Sequence, residues 1–398
     1  MRGLMGHSGR VGSLIARGGI RAATALACSA VLFGVGLGLS ADASSPPKVP
    51  RLDHVFVIMM ENTSYPDLLA PDNHNTKFIQ SLAHTYGLAT HYYGVTHPSL
   101  PNYVAAVSGS NWGSNSDDVA QADQGYFKHR SLFDELDAAG ISWKGYMQSM
   151  PSAGYTGDFG DCTSATGPDP TCTGMTSSGH SDTGTALYVR KHNPFMLFPD
   201  IFTDPGQAAN VVPLTRLATD LNSGKVARFV WISPNICADM HGGAPQCPYA
   251  NAPNDPNQQA LYRDGDEFLR TWVTAIMHSR AWTSHSAIFV TWDEGGYEDT
   301  APYGPTDNSG CCDSPVLPAT PADPTTAGGG DLVGGTLYGG GHVPMIVIAR
   351  HGARKATDAT PANHYSLLQT IELSWRLPLL GNASDTAMVH SLAPLLHH

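Results

Sequence analysis

Charged side chains are scarce in this sequence: Asp, Glu, Lys and Arg supply only 14% of its 398 residues. That is too thin for a coiled coil or a disordered polyelectrolyte. Basic residues are scarcer than acidic ones, 22 against 34, for a formal charge of −12. An acidic chain repels nucleic-acid backbones and anionic membranes at long range, so no nucleic-acid partner is expected. No G-x-x-x-x-G-K-[ST] segment is present, which removes a P-loop. The glycine runs at 328–330 and 339–341 do not join a strand to a helix as a dinucleotide-binding loop does. There is no C-x-x-C, so a four-cysteine zinc site is not expected, and there is no internal repeat. What is abundant is glycine (42), proline (29) and apolar residues (41%), the mix of a globular chain with a large core and long ordered loops.

Residues 1–43 read as an export signal. Arg2, Arg10, Arg17 and Arg21 form a basic lead, Ala22 to Leu39 an apolar run, and Ala41-Asp42-Ala43 an A-x-A cleavage pattern. The alternative is an uncleaved anchor, for which the run is slightly short. No two of these arginines are adjacent, so a twin-arginine signal is not indicated. The expectation is a secreted or cell-envelope protein with no stable membrane insertion after cleavage. Residues 44–51 then form a linker and 52–398 a single catalytic domain. Cleavage removes four arginines and one aspartate and makes the remaining chain more acidic. It also removes Cys28. Cys162/Cys172 and Cys237/Cys247 are each spaced for local disulfides in an oxidising compartment. Cys311-Cys312 are adjacent, where a mutual bridge is an awkward geometry. Pairing elsewhere and free thiols stay open.

From Leu52 the chain alternates strand-like and helix-like segments. His54–Met60, Ser142–Met147, Phe229–Ser233, Ser286–Trp292 and Val343–Ala349 are short apolar, partly β-branched runs suited to buried strands. Thr76–Tyr86, Asn102–Ser108, Ser131–Gly140, Gln258–His278 and Asn363–Trp375 have helical patterning. The stretches 151–182 and 296–341 are Gly-rich excursions. This alternation predicts an α/β fold with a mostly parallel central sheet flanked by helices and long Gly-rich loop insertions. Ligands of such sheets bind at the carboxyl ends of the strands.

Those ends carry unusual polar groups. Glu61-Asn62 follow the first strand; Asn235, Asp239 and His241 follow the strand at 229–233. Asp293-Glu294-Gly295-Gly296 follow the strand at 286–292, and Gly341-His342-Val-Pro344 lead into the last. Oxygen and imidazole groups brought from several strand ends are how such a sheet assembles a divalent metal site. Ser99, in His97-Pro-Ser-Leu-Pro-Asn102-Tyr103, is placed just before a helix whose free N–H groups favour an anion. A metal on its hydroxyl would make it an attacking alkoxide. Asn102 could donate to a phosphoryl oxygen. Spacing alone leaves Ser99 equally a helix cap. The absence of a G-x-S-x-G elbow around it argues against an α/β-hydrolase esterase.

Taken together, Met60-Glu-Asn62, His97 to Tyr103, Trp292 to Gly296, Gly341 to Pro344 and Asn363-His-Tyr-Ser366 resemble the phosphoesterase family. That family includes bacterial phospholipases C and secreted acid phosphatases, within the wider alkaline-phosphatase-like superfamily. The likeness runs from about residue 52 to about residue 376. The Ser99 segment also resembles the nucleophile segment of nucleotide pyrophosphatase/phosphodiesterases. The resemblance implies that Glu61, Asn62, Ser99, Asp293 and Glu294 surround one divalent metal (Mg, Mn, Ca or Zn). Asp239 would be a further ligand or orient a histidine. His192 and His241 would stabilise phosphoryl charge or protonate the leaving alkoxide, and His97, Asn102, Asn62 and His342 would bind substrate. It implies a hydrolase of phosphoric esters acting through a phosphoserine, on a phosphorylated small molecule or a phospholipid headgroup. Phosphomonoesters come first, phospholipase C-type diester cleavage second, and a non-catalytic secreted binding protein on the same scaffold third.

Overall fold

Among the described residues, nine strands form one sheet. In chain order they are β1 (His54–Met60), β2 (Gly87–Tyr93), β3 (Trp143–Met147), β4 (Val211–Pro213), β5 (Phe229–Ser233), β6 (Ser286–Trp292), β7 (His342–Ala349), β8 (Ala356–Asp358) and β9 (Ala362–Asn363). Their spatial order is β8-β2-β7-β6-β1-β5-β3-β4, with β9 pairing β2. The computed structural model describes residues 48–160, 186–250, 254–296, 307–316 and 338–397, and the backbone of a short ladder between Thr163–Ser164 and Gly167–Pro168. The expected signal at 1–43 and the Cys162/Cys172 pair lie outside them. The described residues belong to one unit, Pro47–His398. None of their helices is long and apolar enough to cross a membrane.

Six apolar side chains in a row (Val55 to Met60) make β1 a strand buried on both faces, which only a central position satisfies. It pairs in parallel with β5 on one side and β6 on the other, so Ile58 lies between Ile232 and Val290. Within this sheet every strand pair is parallel except those of β7, which runs against both β2 and β6. The parallel expectation thus holds apart from that strand. Its reversal sends the start of β7, not its finish, to the edge where β1, β5 and β6 end.

Helices cover the sheet. Pro256–Met277 begins where the Asp255 carboxylate accepts from Asn257 N–H and Pro256 takes the first turn, two residues earlier than expected. Leu132–Ala138 is closed at its start by a capping box of Ser131 and Asp134. Ser99–Ser108 is buried along its whole length and ends at Gly109 in the left-handed conformation. It therefore starts three residues before the predicted Asn102. Cys237 and Cys247 are joined as expected. Cys311 and Cys312 are joined to each other.

Helix His364–Trp375 hides a carboxyl group, Glu372, whose Oε1 accepts from Leu380 N–H at 3.1 Å while Oε2 is buried without a partner. Burial, with Glu135 adding repulsion, raises its pKa to about 9. An acid whose folded pKa is raised favours the fold below its unfolded pKa of 4.5, and that contribution fades as pH rises toward about 9. Glu372→Gln mimics the protonated acid. We expect its melting temperature to match wild type near pH 4 and to exceed it progressively from pH 5 to 9, by about 1–2 kcal/mol of stability. A constant offset across a pH series of thermal melts would contradict this assignment.

Candidate active site

The carboxyl ends of β1, β5 and β6, the chain after β2 and the start of β7 meet at one edge of the sheet. Two glycines allow the approach. A Cβ on Gly94 would lie 2.7 Å from the Asp293 carbonyl, and one on Gly340 would lie 2.5 Å from that of Thr96. Backbone bonds then clasp the strand ends: Gly340 N–H donates to Gly94 O, Gly94 N–H to Gly341 O, and Gly295 N–H to Gly340 O.

Ser99 is the first residue of its helix and is 1% exposed. Its Oγ lies 2.9 Å from Glu61 Oε2 and 3.2 Å from Glu294 Oε1. One hydroxyl proton cannot serve two carboxylates at once, so this junction calls for a shared proton or a cation. Glu61 bridges onward: its Oε1 is 3.3 Å from His192 Nε2, without the alignment of a hydrogen bond. His192 Nδ1 is held 3.1 Å from Asp239 Oδ2, and Asp239 Oδ1 accepts from His241 N–H. Tyr103, one helical turn from Ser99, stacks flat on His192 with centroids 5.5 Å apart. On the other side Glu294 Oε2 meets His97 Nδ1 at 2.5 Å, and Asp293 Oδ1 accepts from Asn62 N–H.

Four carboxyl groups are thereby buried together. Burial raises Glu61 far above its usual range, with Asp293 and Asp239 adding repulsion. Asp293 is pushed up by burial and then by Glu294. Asp239 rises by burial, and Glu294 rises by burial although His97 opposes it. Among the described residues, Glu61 Oε1, Asn62 Oδ1, His192 Nε2 and Asp293 Oδ2 are buried with no hydrogen-bond partner. Unsatisfied oxygens among crowded acids fit a bound divalent cation. Glu61, His192 and His241 also offer ligand atoms within 4.8 Å of one another.

The histidines shift in opposite directions. For His97 burial opposes protonation, but contact with Glu294 outweighs it and raises the pKa. His192 is driven well down by burial and then by Lys191, and His241 down to about 3 by the same two causes. Both shifts favour the neutral ring, with Nδ1 of His192 on Asp239 and Nδ1 of His241 on the Gly242 carbonyl.

Three sequence expectations take a different form. Asn102 is spent on the backbone: its Oδ1 accepts from Val95 and Thr96 N–H, and its Nδ2 donates to Thr96 and Pro98 carbonyls. It shapes the loop that presents Ser99 instead of facing substrate. His342 lies in a stack with Tyr65 (4.4 Å between centroids) and Tyr93, its Nε2 on the Thr90 carbonyl; it joins the Ser99 cluster only through Asp307, which accepts from His342 N–H and meets His97 Nε2 with its carbonyl, among the described residues. The helix N-terminus offers an anion little, because Leu100 N–H donates to Asp117 Oδ1 and Pro101 has no N–H.

Residues to which the sequence reading gave no role complete the site. His364 Nε2 meets the Asp293 carbonyl at 2.5 Å and holds that turn; its place in Asn363-His-Tyr-Ser366 was the available signal. Lys191, beside His192 in sequence, pairs with Asp117 at 2.7 Å and reaches to 3.4 Å from His241 Nε2.

The profile of the Phosphoesterase family matches residues 71–378. The chain belongs to the Phosphoesterase family. Every site residue named above except Glu61, Asn62 and Tyr65 falls within the matched span of this Phosphoesterase chain. An acid phosphatase of Aspergillus fumigatus is 24% identical over 86% of this chain, and a phosphatidylinositol-3-phosphatase of Mycobacterium tuberculosis is 25% identical over 88%. The chain spans 60% of the fungal protein's length and 84% of the mycobacterial one's. A solved protein from glycosaminoglycan metabolism in Bacteroides thetaiotaomicron shares the fold, with a TM-score of 0.51 and 12% identity over 87% of this chain and 82% of its own.

Proposed function

We propose that this Phosphoesterase-family chain is a secreted, metal-dependent hydrolase of phosphoric esters, working through a phosphoserine on Ser99 and acting first on phosphomonoesters. The observation that carries this reading is the buried Ser99 hydroxyl shared between Glu61 and Glu294. A lone helix cap would need neither carboxylate. The names of the fungal and mycobacterial relatives support phosphoester hydrolysis.

In this reading the Ser99 Oγ–phosphorus bond forms as the ester oxygen–phosphorus bond breaks, the hydroxyl proton passes to one of the two carboxylates, and the departing alkoxide is protonated by water to leave as the alcohol. Asp239 holds His192 with Nε2 toward the reacting face, and Tyr103 fixes its plane. His241, with Nδ1 on the Gly242 carbonyl and Nε2 3.4 Å from Lys191 Nζ, accepts from that ammonium and steadies it beside the phosphoryl group. Water then cleaves the phosphoserine and restores Ser99. A divalent ion bound by Glu61, Asn62, Ser99, Asp293 and Glu294 would acidify the hydroxyl and neutralise phosphoryl charge; oxygen ligands suit Mg, Mn or Ca, and the histidines admit Zn. Asp239, engaged with His192 and His241, is an orienting group in this scheme.

The mycobacterial relative's name keeps a phospholipid headgroup among the substrate classes. The deciding experiment offers p-nitrophenyl phosphate, a phosphoinositide monoester in vesicles and phosphatidylcholine to the full chain. Both monoesters should release phosphate while phosphatidylcholine stays intact. Robust phosphatidylcholine cleavage without monoesterase activity would replace this reading by a phospholipase C-type one.

A further inference from the structure

Arg190, Lys191 and His192 form one short turn, yet their charges go different ways. Arg190 faces away from the site, its guanidinium on Asp123 and on the Met196 carbonyl. Lys191 turns inward and is 5% exposed. Its Nζ lies 2.7 Å from Asp117 Oδ2 and 3.4 Å from His241 Nε2. Burying an ammonium is costly unless it is well paired. Here the pairing also fixes its position, because the other oxygen of Asp117 holds Leu100 N–H, next to Ser99. One carboxylate thus ties the ammonium to the start of the nucleophile's helix.

The surroundings leave this ammonium a specific task. His97 is committed to Glu294 and Arg190 to Asp123, so the ammonium on the His241 side of Ser99 is that of Lys191. Glu61, His192 and His241 have the spacing of a second metal site, but a cation already touches His241 Nε2. A metal ion there would meet that ammonium at close range.

We propose that Lys191 is the fixed cation of the phosphoryl pocket, binding the oxygens of the transferring phosphoryl group in the place a second metal ion would occupy. The site then runs on one divalent ion beside Ser99 and one ammonium beside His241. This rests on the phosphoester reading above and adds the group that holds the phosphate.

The test uses the full chain in its metal-loaded form, with bound metal measured by mass spectrometry and inorganic phosphate affinity by calorimetry. Wild type should carry one ion per chain. Lys191→Met should bind phosphate at least tenfold more weakly with its melting temperature little changed, and Lys191→Arg should recover most of the affinity. Unchanged phosphate affinity in Lys191→Met would overturn the proposal. If that variant fails to fold, the wild-type count decides, since two ions per chain overturn it equally. A wild type that binds phosphate through Lys191 but turns over no ester would sink the hydrolase reading and leave this inference standing.

Discussion

Ser99→Ala should leave a folded protein that has lost about 10⁴-fold or more of its monoester turnover. The nucleophile assignment predicts a loss far beyond that of a helix cap, which costs about 1 kcal/mol of stability and no chemistry. The first turn does not depend on the Ser99 side chain, because Asp117 holds Leu100 N–H and Asn102 clamps the preceding loop. The melting temperature should therefore move by only a few degrees. What disappears is the hydroxyl that faces both Glu61 Oε2 and Glu294 Oε1. Metal content should fall slightly, since the carboxylates and Asn62 remain. Steady-state rates with p-nitrophenyl phosphate, beside a melt and a metal assay, separate these effects; turnover at the wild-type level would end the nucleophile assignment.

Metal removal should have the second-largest effect. Exhaustive chelation is expected to abolish turnover, and add-back of the right divalent ion to restore it. Chelation should also lower stability, because a ligand bound only by the native state stabilises it by about 4 kcal/mol at a thousandfold excess over its Kd. The pH dependence has a defined sign. Glu61, Asp239, Asp293 and Glu294 all have folded pKa values raised by burial, so without a cation they favour the fold at low pH and oppose it as pH rises. The chelated protein should lose melting temperature as pH climbs above about 4.5, whereas the loaded protein should be flatter over that range. Full turnover after removal of all bound metal would refute the metal-dependent reading.

Much of this site could be read in the sequence because it sits where buried strands stop. Runs such as Val55–Met60 and Ala287–Val290 announce themselves by unbroken apolar character, and the acids behind them have nowhere to go but the sheet edge. Gly87–Tyr93 escaped notice since Thr90 and His91 interrupt its apolar pattern, and Val211–Pro213 and Ala356–Asp358 are too short to show any period. The direction of β7 leaves no mark in its residues, since an apolar run reads alike for either orientation. Asn102 looked like a substrate ligand, but its four backbone bonds depend on how the chain folds back at Val95 and Thr96. The Lys191–Asp117 pair spans 74 residues and lies on no common periodic element. Only tertiary structure could join them.

The reversed strand has an architectural consequence. Because β7 begins at the site, the chain departs after Glu294 and returns at Gly340 along the same rim, tethered by the bond from Gly295 to Gly340. An excursion whose two feet stand side by side can grow or shrink at small entropic expense, roughly 0.6 kcal/mol for each doubling of its length. The acids and Ser99 are held by the sheet beneath that anchor. The length of this segment can thus change while the Ser99 cluster keeps its geometry.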